Sequence, residues 1–400
     1  MRISFDYPHE IFRFAKQDYD PEYVIQTIIE KCEKLADLYD LFFSHSKKVY
    51  FDYEIKQSDI YCVQELRFSR DDISLNLTFE IVIPDIRNSF CTISGVRRYV
   101  QKQLRDSVFI YLKVPTRIKV LTEFHKTLNL SYLQKAKKFT FNIQGFPHVN
   151  AIALYLALLG ENEDEKLSDL NNPVIDSELN DFLLNERKDL LRIKSLPNDS
   201  SYAQKKRTLN YVKVYYEMSD VLQEYFKSPS DIILQMFSNI EVVDIETGLD
   251  IRNRRIRNTN EMITYNFLSY IVDYILEALF ISNKTKRQKH VKLEPFQGLY
   301  DFVLAENTFD APLASVSNRG RCTLLGEGGF SRQGVPVRIK DLHPSQFNCL
   351  CPAVTPDRDN AGVVLYLAST CELDHIGRFK IDTKFLDIML KGATHESTES

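Results

Sequence analysis

The stretch Arg319-Gly-Arg-Cys-Thr-Leu-Leu-Gly-Glu-Gly-Gly-Phe-Ser-Arg332 leads into Lys340-Asp-Leu-His-Pro344, then Cys351-Pro-Ala-Val-Thr-Pro356 and Asn360-Ala-Gly362. Gly326, Gly328 and Gly329 carry no Cβ, so this loop can bend freely and its amides can approach another molecule closely. Neither Gly-Lys-Ser/Thr nor the Gly-x-Gly-x-x-Gly spacing is present, which argues against a mononucleotide or dinucleotide cradle. Arg332 closes the loop with a positive charge. His343 could serve as a general base, but a histidine ahead of Pro344 in such a turn is more often a hydrogen-bonding strut. Cys349 and Cys351 could be half of a metal site, yet no second cysteine or histidine pair stands at ligand spacing. Pro352 and Pro356 instead fix two bends, because proline locks φ and restricts its predecessor.

Upstream, Ile251-Arg-Asn-Arg-Arg-Ile-Arg257 sets Arg254, Arg255 and Arg257 close together. Arginines at this spacing on a turn cannot all pair with their neighbours, so they are expected to face solvent or a polyanion. Beyond them a helix is predicted from about Glu261 to Leu279, with Phe267, Ile271, Ile275 and Leu279 on one face. Nearer the N-terminus, Asp20-Pro21 is a helix start, followed by Val24, Ile28, Cys32 and Leu35 at helical spacing. From Ile73 to Ile83 apolar and polar residues alternate, the pattern of a half-buried strand that Pro84 closes. Ser94-Gly95 marks a tight turn. Strands are expected at 108–114, 116–121 and 139–143, and Asn150 should cap an apolar helix over 151–159. The class is α+β.

A chain of 400 residues with 44% hydrophobic residues can bury a full core and has room for two or three domains. Seven irregularly spaced cysteines suggest neither a disulfide framework nor paired metal knuckles. No apolar run is long enough to span a membrane, so a cytoplasmic location is expected. A net charge of −4 argues against a free-standing nucleic-acid binder. It does not argue against a wall of a nucleic-acid channel, where local arginine clusters carry the electrostatics.

Over more than forty positions without a gap, the segment from Arg319 resembles the fork region of the β subunit of multisubunit DNA-directed RNA polymerases. Phe90-Cys-Thr-Ile-Ser-Gly-Val-Arg-Arg-Tyr-Val-Gln-Lys-Gln-Leu104 is similar to the family's protrusion motif. The 251–262 segment resembles the family's Asn-Arg-Arg-x-Arg element, which likewise leads through Glu-Met into a long helix. The resemblance implies a multidomain mixed α/β chain: the first part of a protrusion in 1–135, a reduced lobe in 136–250, the protrusion return and long helix in 251–308, and the fork with a polar tail in 309–400. It implies that Arg98, Arg254, Arg255, Arg257, Arg321, Arg332 and Asn360, with Gly326, Gly328 and Gly329, contact nucleic acid, and that none of them is catalytic. The sequence departs from the family at Val354, where an acid is usual, and at Pro356-Asp-Arg358, which replaces Pro-Glu-Gly.

Nucleotidyl transfer needs metal ions held by carboxylates, and no Asp-x-Asp-x-Asp occurs in this sequence. The resemblance therefore implies Mg²⁺ held by another subunit. The expected partners are a C-terminal β polypeptide, β′ polypeptides, a promoter-specificity subunit, template DNA, nascent RNA and NTPs. The polar segment 392–400 reads as a frayed terminus. The chain thus resembles the N-terminal part of a split β subunit of the kind found in large tailed bacteriophages, working in the host cytoplasm or packaged in the virion. A second reading is a non-catalytic β-derived fragment that binds and regulates a host polymerase. A free-standing enzyme would need an acid, base or metal cluster that the sequence does not offer.

Overall fold

Asp20 opens the first helix in the computed structural model, its carboxylate accepting the amides of Glu22 at 3.0 Å and Tyr23 at 3.4 Å. The structure describes residues 19–48, 60–87, 90–93, 95–106, 108–112, 117–124, 126–133, 138–159, 200–238, 250–280, 287–299, 302–305, 320–326, 329–330, 335, 341–354 and 361–381. With Pro21 preset for the first turn, Pro21–Leu38 forms α1 and buries Val24, Ile28, Cys32 and Leu35, as the periodicity predicts.

Strands follow in quick succession: β1 Phe42–Lys48, β2 Ile60–Arg70, β3 Leu75–Pro84, β4 Phe90–Ile93, β5 Val96–Val100, β6 Lys102–Asp106, β7 Phe109–Leu112, β8 Arg117–Val120, β9 Leu128–Leu133, β10 Lys138–Ile143 and β11 Val149–Asn150. Then come α2 Ala151–Leu159, α3 Ser200–Met218, α4 Asp220–Tyr225 and α5 Pro229–Ser238. The last group is β12 Arg254–Arg257, α6 Thr259–Phe280, β13 Gln288–Leu293, β14 Val303–Ala305, β15 Arg321–Thr323 and β16 Val364–Tyr366. Helices and sheets coexist without βαβ alternation, an α+β fold.

Four sheets organise the described residues. The first has the order β1-β2-β3-β13, with β13 parallel to β3, and the second runs β11-β10-β9-β8-β7 as an antiparallel meander. The third, β12-β6-β15-β16, gathers strands from four distant parts of the chain; the fourth is β14-β5-β4. Gly95 turns β4 into β5 at φ 75°, a conformation that glycine adopts without strain. Asn150 caps α2, its Oδ1 accepting the amides of Ile152 at 2.9 Å and Ala153 at 3.0 Å.

Two cores result. The larger includes the apolar faces of α1 and α6 with the inner faces of the first two sheets, including Phe68, Phe79, Leu130, Phe141 and Ile271. A smaller one under the third sheet contains Leu104, Ile256, Cys322, Leu324, Cys349 and Cys371. The expected boundary at 135/136 falls between β9 and β10, which pair from Lys138↔Leu133 to Ile143↔Leu128, so the second sheet runs across it. The boundary at 308/309 likewise separates β12 from β15, two members of the third sheet.

Candidate nucleic-acid interface

The third sheet carries four of the ten candidate residues, Arg254, Arg255, Arg257 and Arg321, and β12 is its arginine-bearing edge. Asp250 accepts the Arg252 amide at 3.0 Å and starts a short 3₁₀ turn, after which Arg254–Arg257 extends against β6. The register sets Arg255 directly opposite Arg105. Like charges at opposed positions destabilise a sheet unless anions compensate them. Glu261, in the first turn of α6, supplies one: its two oxygens accept from Arg255 Nη1 and Nη2, both at 2.7 Å, and Arg257 Nε lies 3.6 Å away. Arg257 Nη2 also donates to the Glu123 carbonyl at 2.8 Å, Arg105 Nη2 to the Thr122 carbonyl at 3.1 Å, and Arg255 Nη1 to the Ile376 carbonyl at 3.2 Å.

Arg255 and Arg257 are therefore interior residues, each 1% exposed, and not the surface phosphate contacts expected from their spacing. The expectation failed because their counter-ion sits on the next element: the chain leaves β12, enters α6 and brings Glu261 back beneath the strand. Arg254, on the other face of β12, is also buried, 3.8 Å from Asp106 and with its guanidinium 5.8 Å from the centre of the Phe330 ring.

Two carboxylates in this cluster, the half-buried Glu261 and the buried Glu123, are driven in opposite directions. Burial opposes ionisation of Glu261, yet the charge and hydrogen bonds of Arg255, with Arg257 and Arg105, hold its pKa below the usual glutamate value. For Glu123 burial prevails over the charge of Arg255, and its pKa is raised. Glu123 is held by the Ser219 hydroxyl and by the Val221 amide at 2.9 Å, so it steadies the start of α4.

The glycine loop begins at the end of β15, the strand between β6 and β16. Thr323 Oγ1 accepts the Leu325 amide at 3.1 Å, the Phe330 amide returns to the Leu324 carbonyl at 2.9 Å, and the Gly326 amide donates to the Phe330 carbonyl at 3.2 Å. The Gly329 amide donates to the Gly326 carbonyl at 3.0 Å. A Cβ on Gly329 would stand 2.1 Å from the Leu324 carbonyl oxygen, and one on Gly326, at φ +104°, would stand 2.4 Å from Phe302 Cζ. These two glycines are thus required by the chain's own close approach, and their amides are used inside the turn, which corrects the expectation that they are open to a ligand. Gly328, Arg332 and Asn360 lie outside the described residues.

Downstream, His343 caps a 3₁₀ turn over 344–346, its Nδ1 accepting the Ser345 amide at 3.2 Å. Ser345 Oγ in turn accepts the Ile251 amide at 2.9 Å, so this punctuation anchors the segment that opens β12. Cys322, Cys349 and Cys371 are packed in the smaller core. Burial pushes the Cys349 thiol up to about 11 and that of Cys322 to about 12. Among the described residues no three His, Cys, Asp or Glu side chains converge as metal ligands.

Residues 310–373 match the family described as RNA polymerase Rpb2, domain 3. The DNA-directed RNA polymerase subunit beta of Mycoplasma mycoides is 25% identical over 249 residues, 53% of this chain and 19% of that protein. That of Staphylococcus carnosus is 25% identical over 239 residues, 55% and 19% of the two chains, and that of Heterosigma akashiwo 32% over 139 residues, 32% and 12%. Part of the chain is thus similar in sequence to part of the RNA polymerase β subunit. Its matches to these relatives span no more than a fifth of their length.

In this β-like chain, two of the expected nucleic-acid residues keep partly exposed side chains. Arg98 lies on β5, between Cys91 of β4 and Ala305 of β14, and Arg321 starts β15 opposite Tyr366. The Arg321 Nε is buried and finds no hydrogen-bond partner among the described residues. Only Gln101 separates β5 from β6, so the two sheets carrying these arginines meet there. Sequence reasoning passed over Arg97, an exposed neighbour whose guanidinium lies 4.5 Å from the centre of the Phe90 ring. Its place beside the Gly95 turn was the available signal. No described helix is long and apolar enough to cross a membrane.

Proposed function

We propose that this chain works as part of the β subunit of a DNA-dependent RNA polymerase, forming protrusion, lobe and fork walls of the channel for DNA and the RNA–DNA hybrid. The observation that carries the reading is the 310–373 match, combined with a third sheet that ties this segment to the 102–106 and 254–257 strands. In it the 324–330 turn guides the strands at the downstream edge of the bubble, and Arg98 and Arg321, with Arg332, Asn360 and the loop around Gly328, face nucleic acid. Phosphate contacts of this kind give affinity and register without sequence preference.

Mg²⁺ and the carboxylates that hold it belong, in this reading, to a β′ polypeptide, which supplies metal-assisted nucleotidyl transfer when bound. A C-terminal β polypeptide and a promoter-specificity subunit complete the enzyme, which in this reading is of the divided-β type found in large tailed bacteriophages. It would act in the host cytoplasm or from the virion. Affinity purification of the tagged chain tests this. Partners bearing a carboxylate triad, with Mg²⁺-dependent RNA synthesis in the eluate, are expected. Recovery of the host polymerase alone, with no new synthesis, would replace the reading by that of a regulatory β-derived fragment.

A further inference from the structure

The turn from Leu324 to Phe330 rests on two residues contributed by other segments. Gln103 is wholly buried in β6, the strand flanked by β12 and β15, with register partners Arg257 and Thr323. Its backbone is thus held between neighbours on both sides. From that fixed point its Nε2 donates to the Leu325 carbonyl at 3.0 Å. Phe302 lies under the same turn, and a Cβ on Gly326 would stand 3.1 Å from Gln103 Nε2 and 2.4 Å from Phe302 Cζ. Phe302 is anchored in its turn: its carbonyl accepts the Gln101 amide and its amide donates to the Leu299 carbonyl, both at 2.9 Å.

We propose that Gln103 is the positioning residue of the glycine turn, with Phe302 as its floor, and that together they hold residues 324–326 and 329–330 as a fixed edge for the nucleic-acid strand. The assignment to a nucleic-acid strand rests on the polymerase reading. The seating itself rests on the geometry alone. A turn closed only by its own amides would yield when pressed. One pinned at Leu325 from the middle of a sheet holds its place. Phe302 leaves no room for a side chain at Gly326, so the seat admits only glycine there.

The full chain carrying Gln103→Met, which keeps the length but loses the donor, or Gln103→Glu, which turns an oxygen toward the Leu325 carbonyl, tests the seating by hydrogen exchange. Exchange of the Gly326, Gly329 and Phe330 amides should rise about tenfold in the first and further in the second, while residues 138–143, which open without the turn, rise less and the unfolding midpoint falls modestly. Unchanged exchange in the turn would overturn the proposal. So would a uniform rise across β6 and β10, which would make Gln103 an ordinary core residue. The same variants in the assembled complex are then measured on fork-junction DNA. A loosened turn with weakened binding supports the whole proposal; a loosened turn with unchanged binding keeps Gln103 as the seat and overturns the polymerase reading of the edge.

Discussion

β12 and β5 each carry two or more arginines, and the fold treats them in opposite ways. On β12, Arg255 and Arg257 are buried and joined to Glu261, while on β5 Arg97 is exposed and Arg98 partly so. The number of arginines does not distinguish the strands. What distinguishes β12 is an acid on the following element: Glu261, in the first turn of α6, reaches back to Arg255 and Arg257.

The most severe way to break this contrast is Glu261→Gln. The substitution leaves Arg255 buried beside Arg105 without its bidentate anion. Removing one partner of a buried pair destabilises by about 3–5 kcal/mol. The sign of the pH dependence follows from the lowered pKa: the contribution of Glu261 is present above the ordinary glutamate value and is lost as pH falls through its lower folded value. Denaturant titration of both proteins between pH 3 and pH 7 should show the wild type losing this advantage in acid, whereas the variant lacks it throughout. Equal stability at pH 7 would mean that the arginines of β12 reach solvent after all.

Glu123→Gln sharpens the contrast within the buried cluster. Its pKa is raised, so the native chain favours its protonated form and stability falls as pH rises above the ordinary glutamate value. Glutamine imitates the neutral form while keeping an acceptor for the Val221 amide. The variant should match or exceed the wild type at pH 8, by about 1 kcal/mol, and the advantage should vanish in acid. A variant destabilised at every pH would show that Glu123 acts as a charged partner of Arg255, equivalent to Glu261.

These contrasts explain which parts of the molecule were legible in its sequence. α1, β3, the Gly95 turn and the Asn150 cap could be read because one face of each is apolar or because a local residue type is required. β2 could not: Cys62, Val63, Gln64, Glu65 and Leu66 are all buried, so no alternation marks the strand. The third sheet was hidden for a different reason, since its strands come from residues 102–106, 254–257, 321–323 and 364–366 and short-range pattern carries no trace of such pairing. The glycines of the loop were seen, but their purpose depends on Phe302 and Leu324, which only the folded chain brings against them. Gly377 was missed for the same reason: a Cβ there would stand 2.0 Å from the Ile256 carbonyl oxygen of β12.

Arg98→Ala is the mildest substitution and tests the outward half of the comparison. A partly exposed arginine away from the core should change folding stability by less than about 0.5 kcal/mol, in contrast to any loss on β12. Its effect belongs to binding. If Arg98 meets a phosphate, the assembled complex should hold fork-junction DNA less tightly, and the slope of log K against log salt should become shallower by about 0.9. Sequence preference should stay as it was, because a phosphate contact reads no base. Measuring affinity at several salt concentrations separates the two strands cleanly: a substitution on β12 lowers the fraction of folded complex and leaves the slope of the remainder alone, whereas one on β5 alters the slope and spares the fold. An unaltered slope for Arg98→Ala would remove β5 from the nucleic-acid face and leave Arg321 as the described arginine to examine next.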